Sequence, residues 1–440
     1  MRKAALHNLG CKVNSYETEA MQQLLETAGY EIVPFAEQAD VYIINTCSVT
    51  NIADRKSRQM LHRAKKQNPE AVVVAAGCYV QAAAKELEQD LAVDVIIGNN
   101  RKKDLISILD SWFAEHKAQE HVIEIGETHE YEELSINRIA DHTRAFIKVQ
   151  DGCNQFCSYC IIPYTRGRVR SRRPEDVEKE VISLVENGYQ EIVLTGIHLS
   201  SYGVDFPEEE RLDLLGLIRR LHEISGLQRI RLGSLEPRII TRAFAEELAK
   251  LTKICPHFHL SLQSGCDETL KRMNRHYTTR EYAECCEILR QAFDNPAITT
   301  DVIVGFPGET QEEFAQTRAY LEEIHFYEMH IFKYSRRAGT RAAVMPDQIP
   351  EQEKGLRSDI LLKLEQQMSG EYRKRFLGQK KTVLLEEKIV IDGTEYMIGH
   401  TKEYVKAVVP YQEHLKNTIV EGTLERMLND EILVLTPVFP

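Results

Sequence analysis

The chain is poor in the features that mark several large classes of protein. Its 440 residues include only 10 cysteines, 23 glycines, 14 prolines and a single tryptophan. Ten cysteines are too few for a disulfide scaffold in so long a chain, and the glycine and proline contents exclude collagen-like or low-complexity sequence. A hydrophobic share of 43% and a charged share of 28% are those of an ordinary globular protein. The length predicts about three domains.

Long hydrophobic runs are also missing. The longest apolar stretch, around residues 71–84, is interrupted by Gly77, Tyr79 and Gln81 and is shorter than a bilayer span. The N-terminus starts with basic residues but lacks an apolar segment of signal-peptide length. We therefore expect a cytoplasmic protein without a membrane partner, in which clustered cysteines hold metal more often than they form disulfides.

A basic excess is lacking as well, since 55 Lys and Arg stand against 67 Asp and Glu, a net charge of −12. This balance argues at first against a nucleic-acid partner, because phosphate contacts supply most of that affinity. The acids are unevenly placed, however: residues 110–133 carry eight acids and one lysine. Residues 118–143 are predicted to be a solvated acidic connector.

Basic residues are concentrated in three tracts, which predict either RNA-facing surface or ordinary solvated faces. The tracts are Arg166, Arg168, Arg170, Arg172 and Arg173; Arg55, Lys56, Arg58, Arg63, Lys65 and Lys66; and Arg373, Lys374, Arg375, Lys380 and Lys381.

The hydrophobic pattern predicts an α/β protein of three parts. In residues 1–117, short apolar runs alternate with helix-period segments, which predicts a doubly wound parallel α/β domain. Residues 144–376 contain six such repeats and a long trailing helix, as in a partial (β/α)6 barrel whose site lies at the carboxyl ends of its strands. Residues 377–440 change to short strand-like runs separated by glycines, which predicts a small all-β barrel.

Three cysteines share one loop after the first strand of the predicted barrel. Cys153, Cys157 and Cys160 have the spacing C-x3-C-x2-C, which suits a [4Fe–4S] cluster with one iron left open to a small molecule. A zinc site, a redox dithiol or simple core packing are the alternatives. Zinc ordinarily needs a fourth ligand, and residues 152–164 contain no further Cys or His.

Three other cysteines each follow an apolar run of the N-terminal part. Cys11, Cys47 and Cys78 come after residues 4–9, 41–45 and 72–76. Ligands in a parallel sheet lie beyond the carboxyl ends of its strands, so these thiols are predicted to converge on a second metal site. Chance placement is the alternative. Cys255, Cys266, Cys285 and Cys286 lie in or beside predicted helices and are expected to be structural.

The loop at residues 152–160, Gly-Cys-Asn-Gln-Phe-Cys-Ser-Tyr-Cys, resembles the signature of radical S-adenosylmethionine (SAM) proteins. The resemblance implies a [4Fe–4S] cluster on Cys153, Cys157 and Cys160 as the catalytic residues, with the amino and carboxylate groups of SAM on the open iron. One electron then cleaves SAM to a 5′-deoxyadenosyl radical, so a reducing electron-donor protein is an implied partner. Tyr159 takes the aromatic position beside the last cysteine.

Further motifs resemble the methylthiotransferase family, in which a second [4Fe–4S] cluster supplies or carries the transferred sulfur. The resemblance implies that Cys11, Cys47 and Cys78 are the ligands of this second cluster. The expected SAM contacts are Tyr159, Gly196, Ser234, Glu236 and Gly305. Residues 399–406 resemble a TRAM domain, which implies tRNA binding. The motifs lie at residues 9–14, 45–50, 76–79, 166–170, 195–198, 234–237, 262–265, 273–277 and 305–310.

The Lys12-Val13 pair after Cys11 most resembles the branch that modifies N6-threonylcarbamoyladenosine beside the anticodon of tRNA, the MtaB-type enzymes. The isopentenyladenosine branch usually has Gln-Met there, and the ribosomal-protein branch Pro-Lys; residues 195–198, Thr-Gly-Ile-His, agree with the first. The resemblance implies methylthiolation of carbon 2 of adenine in a single-stranded anticodon loop. Isopentenyladenosine, a ribosomal protein side chain, and a non-catalytic RNA-binding role with structural metal are the alternatives.

Overall fold

The computed structural model describes residues 1–117, 119–137 and 143–438. Its first part is a six-stranded, wholly parallel sheet with strand order β2-β1-β3-β4-β5-β6. The strands are β1 (Lys3–Asn8), β2 (Glu31–Ile32), β3 (Val41–Thr46), β4 (Val72–Gly77), β5 (Val95–Ile97) and β6 (Gln119–His121). The connecting helices are α1 (Lys12–Thr27), α2 (Asn51–Gln67), α3 (Cys78–Leu87) and α4 (Leu105–Glu115).

Both faces of this sheet are buried, as its continuous apolar strands require. One apolar cluster gathers Tyr42 and Val73 with Leu61 of α2, and the other gathers Ile43 with Leu105 of α4. Helices therefore cover the two faces, and the predicted doubly wound domain is confirmed.

The central part is a row of six parallel strands, which confirms the predicted partial barrel. Its strands are β7 (Arg144–Asp151), the short antiparallel β8 (Arg170–Ser171), β9 (Glu191–Gly196), β10 (Arg229–Leu232), β11 (His257–His259), β12 (Ala297–Val304) and β13 (Glu328–Lys333). Its helices are α5 (Ile162–Thr165), α6 (Pro174–Glu186), α7 (Leu214–His222), α8 (Arg242–Ala249), α9 (Asp267–Arg272), α10 (Thr279–Ala292), α11 (Gln311–Ile324) and α12 (Glu351–Lys374). The parallel order is β7-β9-β10-β11-β12-β13, with single bridges linking β10 to the β11 segment.

Alternate residues on the central strands differ in character. Ile192, Leu194, Val302 and Val304 belong to the apolar cluster under the surrounding helices. Because successive side chains point to opposite faces of a strand, their neighbours face the interior. Apart from apolar residues such as Phe146, Val193 and Ile303, most of those neighbours are polar or charged: Lys148, Gln150, Glu191, Thr195, Arg229, Arg231, His257, His259, Thr299 and Asp301. Barrels of this class ordinarily fill the interior with branched apolar residues, so a polar interior indicates a ligand cavity.

The C-terminal part is a closed five-stranded barrel with order β14-β15-β16-β18-β17. Its strands are β14 (Lys380–Ile391), β15 (Thr394–Thr401), β16 (Lys406–Pro410), β17 (Thr418–Met427) and β18 (Ile432–Pro437). It covers the amino ends of the central strands: Arg229 donates to the His400 carbonyl at 2.9 Å and Arg231 to that of Lys402 at 2.9 Å. The Tyr404 ring stacks on His257 at 4.7 Å. The cavity is therefore closed at this end.

The predicted acidic connector differs from expectation. It begins with β6, which pairs with β5 in the first sheet, and Leu134 and Ile136 are buried in the central core. Apolar residues between the acids explain why this segment packs rather than staying solvated. Residues 118 and 138–142 of the connector and 439–440 of the last predicted domain lie outside the described part of the chain. None of the helices described here has both the length and the apolar character needed to cross a membrane.

Candidate active site

The first group of cysteines, here called the loop triad, is Cys153, Cys157 and Cys160 in the loop after β7. Gly152 turns the chain out of β7 with φ +70°, and a Cβ there would lie 1.8 Å from the Arg168 carbonyl oxygen, so only glycine fits. The Cys153 amide then donates to the Gly167 carbonyl at 3.0 Å. All three thiols are free, at the carboxyl end of a barrel strand.

Hydrogen-bond donors approach the loop triad. Arg275 donates to the Cys157 sulfur at 3.3 Å, and the Gln155 amide donates to the Cys153 sulfur at 3.5 Å. Burial raises the pKa of the Cys153 thiol to about 11 and that of Cys160 to about 12. These thiols are therefore mainly protonated at neutral pH, and a bound metal would favour their thiolate forms.

The second group, here called the sheet triad, is Cys11, Cys47 and Cys78. The three follow β1, β3 and β4, which are neighbours in the sheet, and Cys78 is the first residue of α3. Cys47 and Cys78 are buried, whereas Cys11 is exposed. Desolvation nevertheless raises the pKa of the Cys11 thiol. Arg166 and Cys78 also act electrostatically on the Cys11 thiol, so the three side chains lie near one another.

Arg166 connects the two triads. It follows the loop triad by six residues, and its Nε donates to the Cys78 sulfur at 3.2 Å. Its guanidinium also donates to Glu17 at 2.8 Å and to the side chain of Asn14 at 2.7 Å. Arg166, Glu17 and their partners Lys102, Lys148 and Asp151 are all buried. One buried ionic network therefore fixes the first domain to the central barrel.

This network corrects the prediction for the first basic tract. Arg166, Arg170 and Arg172 are buried, and Arg172 is paired with Glu180. The tract is therefore not an RNA-facing surface as a whole, because most of its charges are neutralised inside the protein. Arg168 and Arg173 are the exposed members.

The other two tracts are mostly exposed. On α2 the exposed residues are Arg55, Lys56, Arg58, Arg63 and Lys66, and Lys65 pairs with Asp94 at 2.9 Å. In the third tract, Arg373 is buried beside Glu328, and Lys381 pairs with Glu403 at 2.6 Å. The α2 face remains the largest group of exposed cations beside a cysteine triad.

The five predicted SAM contacts occupy the carboxyl ends of several strands. Tyr159 packs on Phe306, the residue after Gly305, with ring centroids 6.4 Å apart. Glu236 is buried, close enough to act electrostatically on Cys153. Gly196 ends β9, where a Cβ would lie 2.9 Å from the Gln150 side chain. Ser234 is exposed after β10. The Gly305 amide donates to Glu309 at 2.7 Å, beneath α12.

Sequence reasoning did not single out Arg275 or His198 as site residues. Arg275 touches the loop triad, and burial together with Arg275 and Arg238 lowers the pKa of His198 to about 4. The His198 Nε2 atom is buried without a hydrogen-bond partner among the described residues. Both residues lie in motifs noted in the sequence, at 273–277 and 195–198, but a motif does not show which member reaches the site.

The spacing of the thiols bears on the kind of centre they fit. A tetrahedral zinc ion with Zn–S bonds of about 2.3 Å needs its thiolates about 4 Å apart. Among the described residues, ligand atoms lie within 4.8 Å of one another in only one group of three, His259, Asp301 and His330. Neither triad is that compact. Three free thiols that are not this closely spaced do not match a mononuclear zinc centre, and N–H donors to Cys153, Cys157 and Cys78 suit the sulfur ligands of a larger cluster.

Comparison with known proteins agrees with these features. The profile described as the radical SAM superfamily matches residues 147–321, and that of Uncharacterized protein family UPF0004 matches residues 3–98. The chain is 41% identical to the threonylcarbamoyladenosine tRNA methylthiotransferase MtaB of Bacillus subtilis (strain 168), over 98% of both proteins. It belongs to the radical SAM methylthiotransferase family.

Other relatives cover the chain nearly as well. The tRNA-2-methylthio-N(6)-dimethylallyladenosine synthase of Moorella thermoacetica is 36% identical over 95% of this chain and 94% of its own. Among solved structures, the radical SAM methyltransferase TsrM from Kitasatospora setae, with cobalamin and a [4Fe–4S] cluster bound, has a TM-score of 0.58 at 16% identity, over 78% of this chain and 77% of that one. That likeness concerns the fold. Family membership implies SAM and one [4Fe–4S] cluster, which the loop triad fits.

Proposed function

We propose that this protein is a tRNA methylthiotransferase that places a methylthio group on carbon 2 of N6-threonylcarbamoyladenosine, beside the anticodon. The observation that carries the proposal is the pair of cysteine triads joined by Arg166. The extent of the likeness to the Bacillus subtilis protein favours this nucleoside over isopentenyladenosine.

The loop triad is proposed to bind the first [4Fe–4S] cluster, beside SAM contacts from Tyr159, Gly196, Ser234, Glu236 and Gly305. SAM bound there supplies the radical chemistry that removes the hydrogen on carbon 2, which is too weakly acidic for a side-chain base. Arg275 holds the Cys157 sulfur, and the surrounding barrel keeps water from the reacting atoms.

The sheet triad is proposed to bind a second [4Fe–4S] cluster that supplies or carries the sulfur. Its fit is supported by the free state of Cys11, Cys47 and Cys78, and by the donor that Arg166 directs at the Cys78 sulfur. Because Cys11 is exposed, this centre is proposed to be accessible to the substrate.

The tRNA is proposed to lie across the exposed cations of α2 and the C-terminal barrel, which we assign to the TRAM type. An anticodon-loop base is already unpaired, so it can enter the barrel without the cost of opening a duplex. A reducing protein is proposed to deliver the electron, in the cytoplasm.

Mass spectrometry of tRNA nucleosides from a strain with and without the gene tests this function. We expect 2-methylthio-N6-threonylcarbamoyladenosine to disappear on deletion and return with the wild-type gene, but not with a Cys153→Ala gene. Loss of the methylthio derivative of isopentenyladenosine instead would assign the other tRNA branch. Unchanged tRNA nucleosides together with an altered ribosomal protein would contradict the proposal.

A further inference from the structure

The inner wall of the barrel carries a polar group that the two triads do not use. His259, Asp301 and His330 lie on the neighbouring strands β11, β12 and β13, and Asp301 is the register partner of His330. One carboxylate oxygen of Asp301 lies 3.2 Å from Nδ1 of His330 and the other lies 3.3 Å from Nε2 of His259. These are hydrogen-bond distances, so Asp301 is the hydrogen-bond partner of both histidines.

His330 still has a free side within this group. Its side chain is 60% exposed although it stands on a barrel strand, and Met329, the residue before it, packs into the core on the opposite face. Its Nε2 atom is left for a ligand, because Nδ1 is held by Asp301. The ring is thus fixed in place with one nitrogen toward the cavity.

Lys12 brings a positive charge to the same space. It is the first residue of α1, beside Cys11, and lies within electrostatic range of both Asp301 and His330. Two nearby arginines have acidic partners of their own: Arg144 pairs with Glu386 at 3.0 Å and Arg231 with Glu191 at 2.8 Å.

Lys12 itself has no ion pair or hydrogen bond from its side chain to any residue that the structure describes. The nearby acid, Asp301, already accepts from two histidines. Lys12 is exposed, and the two arginines beside it are held by acids of their own, so its ammonium group is free to pair with an anion that enters this space. This arrangement favours a ligand that carries a negatively charged group into the barrel.

We propose that Lys12 and His330 form a carboxylate subsite that binds the N6 substituent of the adenine substrate. This inference rests on the proposed function, in which the substituent is a threonylcarbamoyl group that ends in a carboxylate. Lys12 binds the carboxylate as a charge-assisted pair, and His330 contacts the polar atoms beside it. An isopentenyl substituent has no charge and gains nothing from Lys12, so the subsite selects between the two nucleosides.

The test uses reconstituted holoenzyme and two anticodon stem-loop RNAs. One RNA carries N6-threonylcarbamoyladenosine, and the other carries the same group with its carboxylate converted to the neutral methylamide. Binding is measured by fluorescence anisotropy without SAM, and turnover by mass spectrometry of the methylthio product. Lys12→Gln removes the charge, Lys12→Arg keeps it, and Lys179→Gln on the outer face of α6 is the matched control.

Wild type and Lys179→Gln are expected to prefer the carboxylate RNA by roughly 10- to 100-fold, the range for one hydrogen bond to a charged group. Lys12→Gln should bind the two RNAs equally, with the loss in KM rather than kcat, while Lys12→Arg keeps most of the preference. Iron content and SAM cleavage are measured for every variant, and Lys179→Gln should keep both at the wild-type level, so the RNA preferences are compared at equal iron content. His330→Gln, remote in sequence from the cysteines, should lower the same preference by a smaller factor.

A wild-type preference that persists in both Lys12→Gln and His330→Gln would overturn the subsite and leave the proposed function standing. Equal use of the two RNAs by wild type would do the same. A wild-type enzyme that cleaves SAM but methylthiolates neither RNA would instead refute the proposed function. The subsite, which rests on that function, would then be refuted as well.

Discussion

The loop triad and the sheet triad each bring three thiols together, but by different means. The loop triad takes its ligands from eight consecutive residues after one strand, held by local turns and by Gly152. The sheet triad takes one ligand from the end of each of three neighbouring strands, β1, β3 and β4. The first site depends on the conformation of one loop, and the second on the whole parallel sheet.

This difference explains how the two centres depend on one another. The loop that carries Cys153 continues directly to Arg166, which donates to a ligand of the sheet triad. The sheet triad sends no comparable contact from its cysteines to the loop triad among the described residues. We therefore expect substitutions between Cys160 and Arg166 to affect metal binding at the sheet triad. Substitutions in the first sheet should leave metal binding at the loop triad unchanged.

The largest effect should come from removing one ligand of each triad. Cys153→Ala should abolish SAM cleavage, whereas Cys47→Ala should keep SAM cleavage but abolish the methylthio product. Each variant should retain about half of roughly eight irons, if each triad binds a four-iron cluster. Iron analysis after anaerobic reconstitution and chromatography of 5′-deoxyadenosine measure both results.

Cys255→Ala is the control for this pair, because that thiol is buried outside both triads. It should leave iron content and SAM cleavage unchanged. An iron content near four atoms per wild-type chain would refute the two-cluster proposal. A colourless protein that contains zinc would support the alternative of a non-catalytic RNA-binding protein with structural metal.

The next effect concerns the link between the triads. Arg166→Met leaves Glu17 and Asp151 with less positive charge in a buried site, which should destabilise the fold by about 3–5 kcal/mol. The midpoint of urea unfolding should therefore fall, with iron lost from the sheet triad before the loop triad. Arg168→Met is the matched control, since Arg168 is exposed and stacks over Phe156 at 4.7 Å. Equal midpoints for the two variants would show that the network does not hold the domains together.

Substituting glycine by alanine at two positions should have a smaller effect. The pair distinguishes the cost of backbone strain from the displacement of a cysteine of the sheet triad. Gly10 has φ +109°, and a Cβ there would lie 2.9 Å from both Cβ and Sγ of Cys47. Gly29 has φ +84° with open space around it. Both Gly→Ala variants should cost about 1–2 kcal/mol for a left-handed alanine. Only Gly10→Ala should also lower the iron of the sheet triad, with SAM cleavage retained.

The comparison also shows what sequence could predict. The C-x3-C-x2-C spacing pointed to the loop triad directly, and apolar periodicity supplied the three strand ends that gather Cys11, Cys47 and Cys78. Burial was not predictable in the same way. Arg166, Arg170 and Arg172 look like a basic surface tract, but each has a buried acidic partner. Glu17 comes from the first domain, and Asp151 and Glu180 come from the neighbouring strand β7 and helix α6. Likewise, Asp301 and His330 are register partners only because β12 and β13 pair.

The last expected effect is a gradual one that depends on pH, and it concerns the part of the site built on the central barrel. Burial and the nearby arginines lower the pKa of His198 to about 4, from about 6.5 in an unfolded chain. Between these pH values the unfolded chain binds a proton that the folded protein does not, so stability is full above pH 6.5 and falls toward pH 4. The slope from one group is at most about 1.4 kcal/mol per pH unit.

His198→Gln should remove this part of the slope, seen as unfolding midpoints that converge with those of wild type as the pH falls from 7 to 5. His414→Gln, at an exposed position of the C-terminal barrel, should keep the wild-type slope. Since His198 faces Arg275, which donates to the loop triad, the acid sensitivity belongs to the barrel half of the site. A wild-type slope that survives His198→Gln would show that the acid-sensitive group is not His198.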